Sequence, residues 1–318
     1  MQATLIYNRN ARNIDQISLD DIKAALLDMG FKPVYKSTSS QQDLDSILAE
    51  TTEGLVIVAG GDGTLRAVAT RLIDKDVPIA LIPLGTANNI SKNLGIYRDP
   101  LEILAGLKDP IEYKYDVGYV RGPWGADYFL EGAGFGIFAD ILATYDPNQG
   151  KSVLRSIEAA FKNMVEDKRY YPLISIDGNS FVDSHLLVEV LNTNAVGPRL
   201  KFAPEADPGD GFFDVVQVKE NKDETLLAYA AGLFMENLDK YESVIHSKAK
   251  TIEIQWTGFP LHIDGEVRPK KTDRPPDRDP AEGLGPMAAD AGQGNTVSIE
   301  ILPGALTLWL PTFDDDND

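Results

Sequence analysis

No cysteine occurs among the 318 residues. That removes a disulfide framework, a thiolate metal site and a cysteine nucleophile, and it fits a reducing cytoplasm. Histidine is nearly as scarce, at three residues, so carboxylates are the natural proton acceptors. Basic charge is also short: 30 Lys and Arg stand against 49 Asp and Glu, for a net charge of −19. Such a chain offers no broad face to nucleic acid and no polybasic anchor to an anionic membrane. No apolar run approaches the roughly 20 residues that a membrane-spanning helix needs. The N-terminus lacks the basic start and longer apolar core of a signal peptide. The expected location is cytoplasmic, with at most peripheral contact at a membrane surface.

Apolar residues make up 43% of the chain, which is ample for real cores, and the length suits one large domain or two modest ones. Strand-like runs at 3–7, 32–36, 55–59 and 79–83 alternate with helical patterns at 19–29, 43–50 and 64–73, the signature of a layered α/β domain. Ser18 followed by Asp21 reads as a capping box, and Gly30 as the stop of the same helix. Beyond Tyr119 strands dominate, at 128–133, 173–176, 186–192, 213–218, 251–256 and 297–302, with helical patterns at 151–168 and 224–234. Segment 269–295 is rich in Pro, Gly, Asp and Lys and has no period; it is expected to be a long flexible insertion, and 314–318 a disordered tail. The expected organisation is an α/β domain over 1–119, to which 304–313 returns, and a mostly β, sandwich-like domain over 120–303.

The strongest local feature is Val56-Ile57-Val58-Ala59-Gly60-Gly61-Asp62-Gly63-Thr64, a buried strand that runs into three glycines and then a helix. Glycine lets backbone approach a ligand with no Cβ in the way, and the helix start presents N–H donors and a positive dipole end to an anion. Asp62 is out of place in a pure phosphate cradle; it makes sense where magnesium stands between the two. A tight strand-to-helix turn with Asp62 as its cap accounts for the segment equally well. A second loop of the same kind, Leu84-Gly85-Thr86-Ala87-Asn88-Asn89, follows the next strand. Parallel neighbouring strands would put both loops at the carboxyl edge of one sheet, where open α/β sheets bind ligands. The loop is neither a Walker loop nor the dinucleotide G-x-G-x-x-G.

Taken together, the chain resembles the diacylglycerol kinase catalytic family, which includes bacterial lipid kinases and sphingosine and ceramide kinases. The resemblance rests on an ordered set: Gly60-Gly61-Asp62-Gly63-Thr64, Pro83-Leu84-Gly85-Thr86-Ala87-Asn88, Asp116-Val117-Gly118, Gly134-Phe135-Gly136, Ala203-Pro204-Glu205-Ala206-Asp207-Pro208-Gly209-Asp210-Gly211 and Asp264-Gly265-Glu266. It covers nearly the whole chain apart from 269–295. It implies ATP as co-substrate, Mg2+ as cofactor, a lipid acceptor met at a membrane surface, and ATP bound between an α/β domain and a β-sandwich domain. A homodimer is compatible with it.

The resemblance also implies roles. Gly60, Gly61, Asp62, Gly63, Thr64, Leu65, Arg66 and Thr86 match nucleotide-binding positions, as do Asn8 and Asn88, and Thr38 more loosely. Asp62 and Asp116 match the catalytic magnesium network. Asp264 and Glu266 match the acidic motif near the transferred phosphate, where the family's proposed base lies. Asp207, Asp210 and Phe212, the first and last through their backbone carbonyls, match a second, structural magnesium site. His262 reads instead as a strand packing residue. Two departures stand out. Asn89 occupies a position where the family often has Asp, and the first strand ends Tyr7-Asn8-Arg9-Asn10-Ala11-Arg12 without the usual proline and glycine. The acceptor expected is a glycerolipid. The rivals are an NAD kinase-like enzyme, which shares the first loop, and a non-catalytic lipid or nucleotide binder, for which Asn89 argues.

Overall fold

The N-terminal apolar runs fold as a parallel sheet because each is followed by a helix that carries the chain back across it. The structure is a computed structural model that describes residues 1–36, 41–145, 168–221, 229, 232–233, 238–270 and 295–313. In order come β1 (Gln2–Tyr7), α1 (Leu19–Asp28), β2 (Lys32–Tyr35), α2 (Gln41–Glu50), β3 (Leu55–Gly60), α3 (Asp62–Ala69), β4 (Ile79–Pro83), α4 (Asn89–Asn93) and α5 (Pro100–Gly106). The strand order is β2-β1-β3-β4. All six residues of β3 are buried, as a strand covered on both faces requires. The capping box at α1 is present: Asp21 N donates to Ser18 Oγ at 3.1 Å and Ser18 N to Asp21 Oδ2 at 3.3 Å. Gly30 follows that helix at φ 83°, the left-handed turn that ends it.

The chain divides into two compact units, Met1–Val117 with Pro303–Asp318, and Gly118–Leu302. Two strands carry the chain across this division, β5 (Ile111–Gly122) and a long last strand, β18 (Thr296–Leu310). The strand expected at 297–302 and the start of the returning segment at 304–313 are thus one strand, with Gly304 in it at φ 58°. Its distal end joins the first unit, where Leu308 lies parallel to Ile79 of β4.

The second unit contains β6 (Gly125–Phe129), β7 (Gly132–Gly136), α6 (Ile137–Thr144), β8 (Leu173–Ile176), β9 (Asn179–Val182), β10 (His185–Leu191), β11 (Ala195–Val196), β12 (Leu200–Lys201), β13 (Phe213–Lys219), β14 (Val244–Ala249), β15 (Thr251–Gln255), β16 (Leu261–Ile263) and β17 (Glu266–Arg268). One sheet runs β14-β13-β10-β7-β16-β17; facing it, the proximal half of β18 continues into β15-β8-β9. Their inner faces share one core, in which Phe135, Val188, Val190, Phe213, Val215 and Ile263 meet Ile174, Ile252, Ile254, Val297 and Ile299. This is a β-sandwich. The six-stranded sheet covers its other face with α6 and a second apolar cluster that includes Phe138, Leu187, Leu191, Phe202 and Tyr229. The strand expected at 128–133 is two strands, β6 and β7, interrupted at Leu130 and Glu131. The helical patterns at 151–168 and 224–234, the segment 269–295 and the tail 314–318 lie almost wholly outside the described residues.

Candidate active site

The register of β3 on β4 opposes Gly60 to Pro83, and Leu84 N extends the ladder to Gly60 O at 2.8 Å. Both glycine loops therefore leave the sheet side by side at its carboxyl edge. They touch. A Cβ built on Gly85 would stand 2.5 Å from Gly61 Cα, and one on Gly61 would stand 2.9 Å from Gly85 Cα. No side chain fits there, which is why both positions are glycine. Gly60 makes room differently: a Cβ there would lie 2.7 Å from both Cβ and Oγ1 of Thr64.

Asparagines fix this pair of loops. Asn88, at φ 51°, accepts Gly85 N on its Oδ1 at 2.9 Å and donates to Gly85 O at 3.1 Å; asparagine tolerates that left-handed backbone better than most residues. Asn8 Nδ2 donates to Thr64 Oγ1 at 2.9 Å. Asn13 Nδ2 donates to Gly85 O at 2.7 Å, while its own N–H reaches Leu84 O at 3.0 Å. Sequence reasoning missed Asn13; the spacing of three asparagines at 8, 10 and 13 is the one local sign of it. Arg9 lies over the Tyr35 ring, 5.9 Å from its centroid.

Asp62 ties the two loops together. Its carboxylate accepts Asn89 N at 3.1 Å and Ile90 N at 3.2 Å, so the first residue of α3 caps α4. Asn89 is buried. A small cavity lies here, lined by Gly60, Gly61, Asp62, Pro83, Asn88 and Ser91 among others. Gly63 and Thr86 are exposed, while Leu65 is buried and Arg66 half-buried in α3. Asp116 is buried and accepts Gly304 N at 2.6 Å. Thr38 lies outside the described residues. Asp62 and Asp116 present the hard oxygen donors that magnesium selects.

In the second unit Asp264 sits at φ 48° in the turn between β16 and β17. Its carboxylate accepts three backbone donors, Leu130 N at 3.0 Å, Glu131 N at 2.8 Å and Gly132 N at 3.0 Å. These bonds are the physical reason that 128–133 is broken into two strands: its N–H groups turn to Asp264 instead of a neighbouring strand. Glu266, on β17, is exposed and meets Arg268 Nη2 at 3.2 Å. Arg268 is buried yet grips Asp127 with two bonds, at 2.8 and 2.9 Å. Burial opposes its charge, but Asp127 and then Glu266 more than offset this, and the guanidinium holds its proton more tightly than usual.

The glycines of the later motifs are explained by packing. A Cβ on Gly118 would lie 2.1 Å from the Phe129 ring. Gly134 opposes Glu189 on one side and His262 on the other, and a Cβ there would stand 2.3 Å from Glu189 Oε2. Over this gap His262 Nε2 and Glu189 Oε2 meet at 2.7 Å, both fully buried. Burial pushes the Glu189 carboxyl up, with His262 pulling it back. His262 is indeed a packing residue, but one that answers a buried carboxylate.

The residues expected at a structural magnesium site are distributed over one loop. Asp207 Oδ1 accepts Gly209 N at 3.0 Å and Asp210 Oδ1 accepts Phe212 N at 2.9 Å. The other Asp210 oxygen is held by the Lys248 ammonium. Among the described residues, no group of three or more His, Asp or Glu side chains is arranged to hold a metal ion, and none of their helices is long and apolar enough to cross a membrane.

Comparison with known proteins agrees with this architecture. The diacylglycerol kinase catalytic domain family matches residues 2–120, and the YegS C-terminal NAD kinase beta sandwich-like domain family matches 151–309. A diacylglycerol kinase of Bacillus subtilis (strain 168) is 29% identical over 282 residues, which cover 83% of this chain and 89% of that protein. One from Staphylococcus aureus (strain JH9) is 28% identical over 277 residues, covering 83% and 86%. A crystal structure of a diacylglycerol kinase from Bacillus anthracis str. Sterne shares the fold at a TM-score of 0.64 and 21% identity, over 97% of this chain and 96% of that one.

Proposed function

The chain belongs to the diacylglycerol kinase catalytic family, and from that premise we propose that it uses ATP and magnesium to phosphorylate a lipid hydroxyl, with a glycerolipid as acceptor. The observation that carries the reading is the backbone contact of Gly61 with Gly85, which sets two glycine loops side by side at one sheet edge. Phosphoryl transfer asks little covalent chemistry of a protein; it asks for positioning and charge neutralisation. The turn into α3 offers N–H donors and the positive end of a helix dipole to the phosphates. Asn8 orients the Thr64 hydroxyl beside them. Asp62 and Asp116 would hold the magnesium ion, which when bound neutralises charge building on the phosphates.

The acceptor's proton needs a carboxylate. Asp264 has both oxygens engaged by backbone donors, so we assign proton acceptance to Glu266 and give Asp264 the placing of the turn. A second reading, a binder without catalysis, is favoured by Asn89: the residue is buried, its backbone N–H bonds Asp62, and it stands uncharged where the family often has a carboxylate.

Labelled ATP offered with a panel of lipid classes tests the proposal. The expected result is magnesium-dependent label in a glycerolipid, raised further by Asn89→Asp. No labelled lipid of any class, under conditions where ATP binds, would sink the kinase and favour the binder. Label appearing in NAD instead would redirect the reading to an NAD kinase-like enzyme.

A further inference from the structure

The acidic loop at Asp207–Phe212 is where family resemblance and structure part. We infer that Lys248 occupies the place of a divalent cation there, so that a side-chain ammonium holds this loop and no metal is needed. Strand register sets the arrangement. β14 runs antiparallel to β13 with Lys248 opposite Asp214 and His246 opposite Val216. On a strand, alternate residues share a face, so His246 and Lys248 of β14 point the same way, and each meets an aspartate; Lys250 follows just beyond the strand end. His246 Nε2 lies 2.8 Å from Asp214 Oδ1. Lys248 Nζ bonds Asp210 Oδ2 and lies 3.8 Å from Asp214 Oδ2. Lys250 Nζ stands over the Phe212 ring, 4.6 Å from its centroid.

A magnesium or calcium ion needs six or more oxygen ligands at close range. Here Asp210, the one carboxylate expected as a ligand, already bonds an ammonium, which has three donors and no lone pair to give a metal. A second ammonium rests on the ring of Phe212, the residue whose carbonyl was the third expected ligand. A positive charge bonded to Asp210 opposes a dication there. What the loop still requires is neutralisation of Asp210 and Asp214, and Lys248 supplies it. The aspartates keep their structural part, since Asp207 and Asp210 each accept a backbone N–H two residues on, which closes the two turns of the loop.

Hydrogen exchange at the Gly209 and Phe212 amides reads the loop directly, on the full chain without nucleotide, so the outcome is independent of kinase activity and of magnesium bound with ATP. In the wild-type protein both amides should exchange equally in EDTA and in excess magnesium. In Lys248→Met, exchange in EDTA should rise by about fivefold at most, as suits a half-exposed pair, and magnesium should restore it. Lys248→Arg should behave as wild type. Wild-type amides that lose protection in EDTA would overturn the inference, even if Lys248→Met could not be produced folded. So would Lys248→Met that is as protected as wild type, or a loss that magnesium leaves unrepaired.

Discussion

Asp62 in the first unit and Asp264 in the second hold their surroundings in the same manner, each by catching the backbone N–H groups of a distant loop. Asp62 takes two, at the start of α4; Asp264 takes three, at the junction of β6 and β7. The difference lies in what each bond set builds. Asp62 joins two loops already pressed together at Gly61 and Gly85, so its removal would leave that backbone contact in place. Asp264 holds the N–H groups at a break between two strands, where Asn192 takes the carbonyls of Leu130 and Glu131. The comparison teaches that replacing either aspartate removes scaffold along with charge, so lost activity would not by itself identify a base.

The largest effects should come from the glycines that permit each arrangement. Gly85→Ala places a Cβ against Gly61 backbone and should cost about 3 kcal/mol together with most ATP affinity, read by thermal unfolding and calorimetric titration of ATP. Gly134→Ala should cost a similar amount in the second unit while leaving ATP affinity intact. Equal loss of ATP binding in both would break the contrast.

Asp264→Asn should come next. An amide nitrogen in place of one carboxylate oxygen faces at least one of these N–H donors and leaves it unsatisfied, at about 2 kcal/mol, and hydrogen exchange should quicken at Leu130 or at Glu131 and Gly132. Asp62→Asn should cost about 1 kcal/mol on the same ground. If Asp264→Asn left those three amides protected, the scaffolding role would be wrong.

A smaller effect is expected from pH. His185 is fully buried beside Gln217, and burial holds its imidazole below the ordinary value of 6.5. The folded form thus binds its proton less readily than the unfolded one. Its contribution is present above about pH 6.5 and is lost as pH falls through the lower folded value, by at most about 1.4 kcal/mol per unit. Unfolding midpoints measured from about pH 7 to about 5 should fall less in His185→Gln than in wild type; equal slopes would exclude His185 as a source.

The smallest stability effect should be at Glu266. Its exposed pairing with Arg268 is worth little, yet Glu266→Gln should lower kcat by about a hundredfold or more if it accepts the acceptor's proton. A stable variant with unchanged kcat would return the base to Asp264.

Sequence alone determined the β–loop–helix periodicity of the first unit, the capping box at Ser18, both glycine loops and the shift to strands beyond Tyr119. All are local: period, turn chemistry and caps are written within a few residues of where they act. Only the tertiary structure decided that Gly61 and Gly85 touch, that Asn13 reaches the second loop, that Asp264 cuts 128–133 in two, and that Glu189 and His262 meet over Gly134. It also decided that Lys248 bonds Asp210. Each of these joins residues tens to more than a hundred positions apart, and strand register, which no local pattern encodes, sets which of them meet.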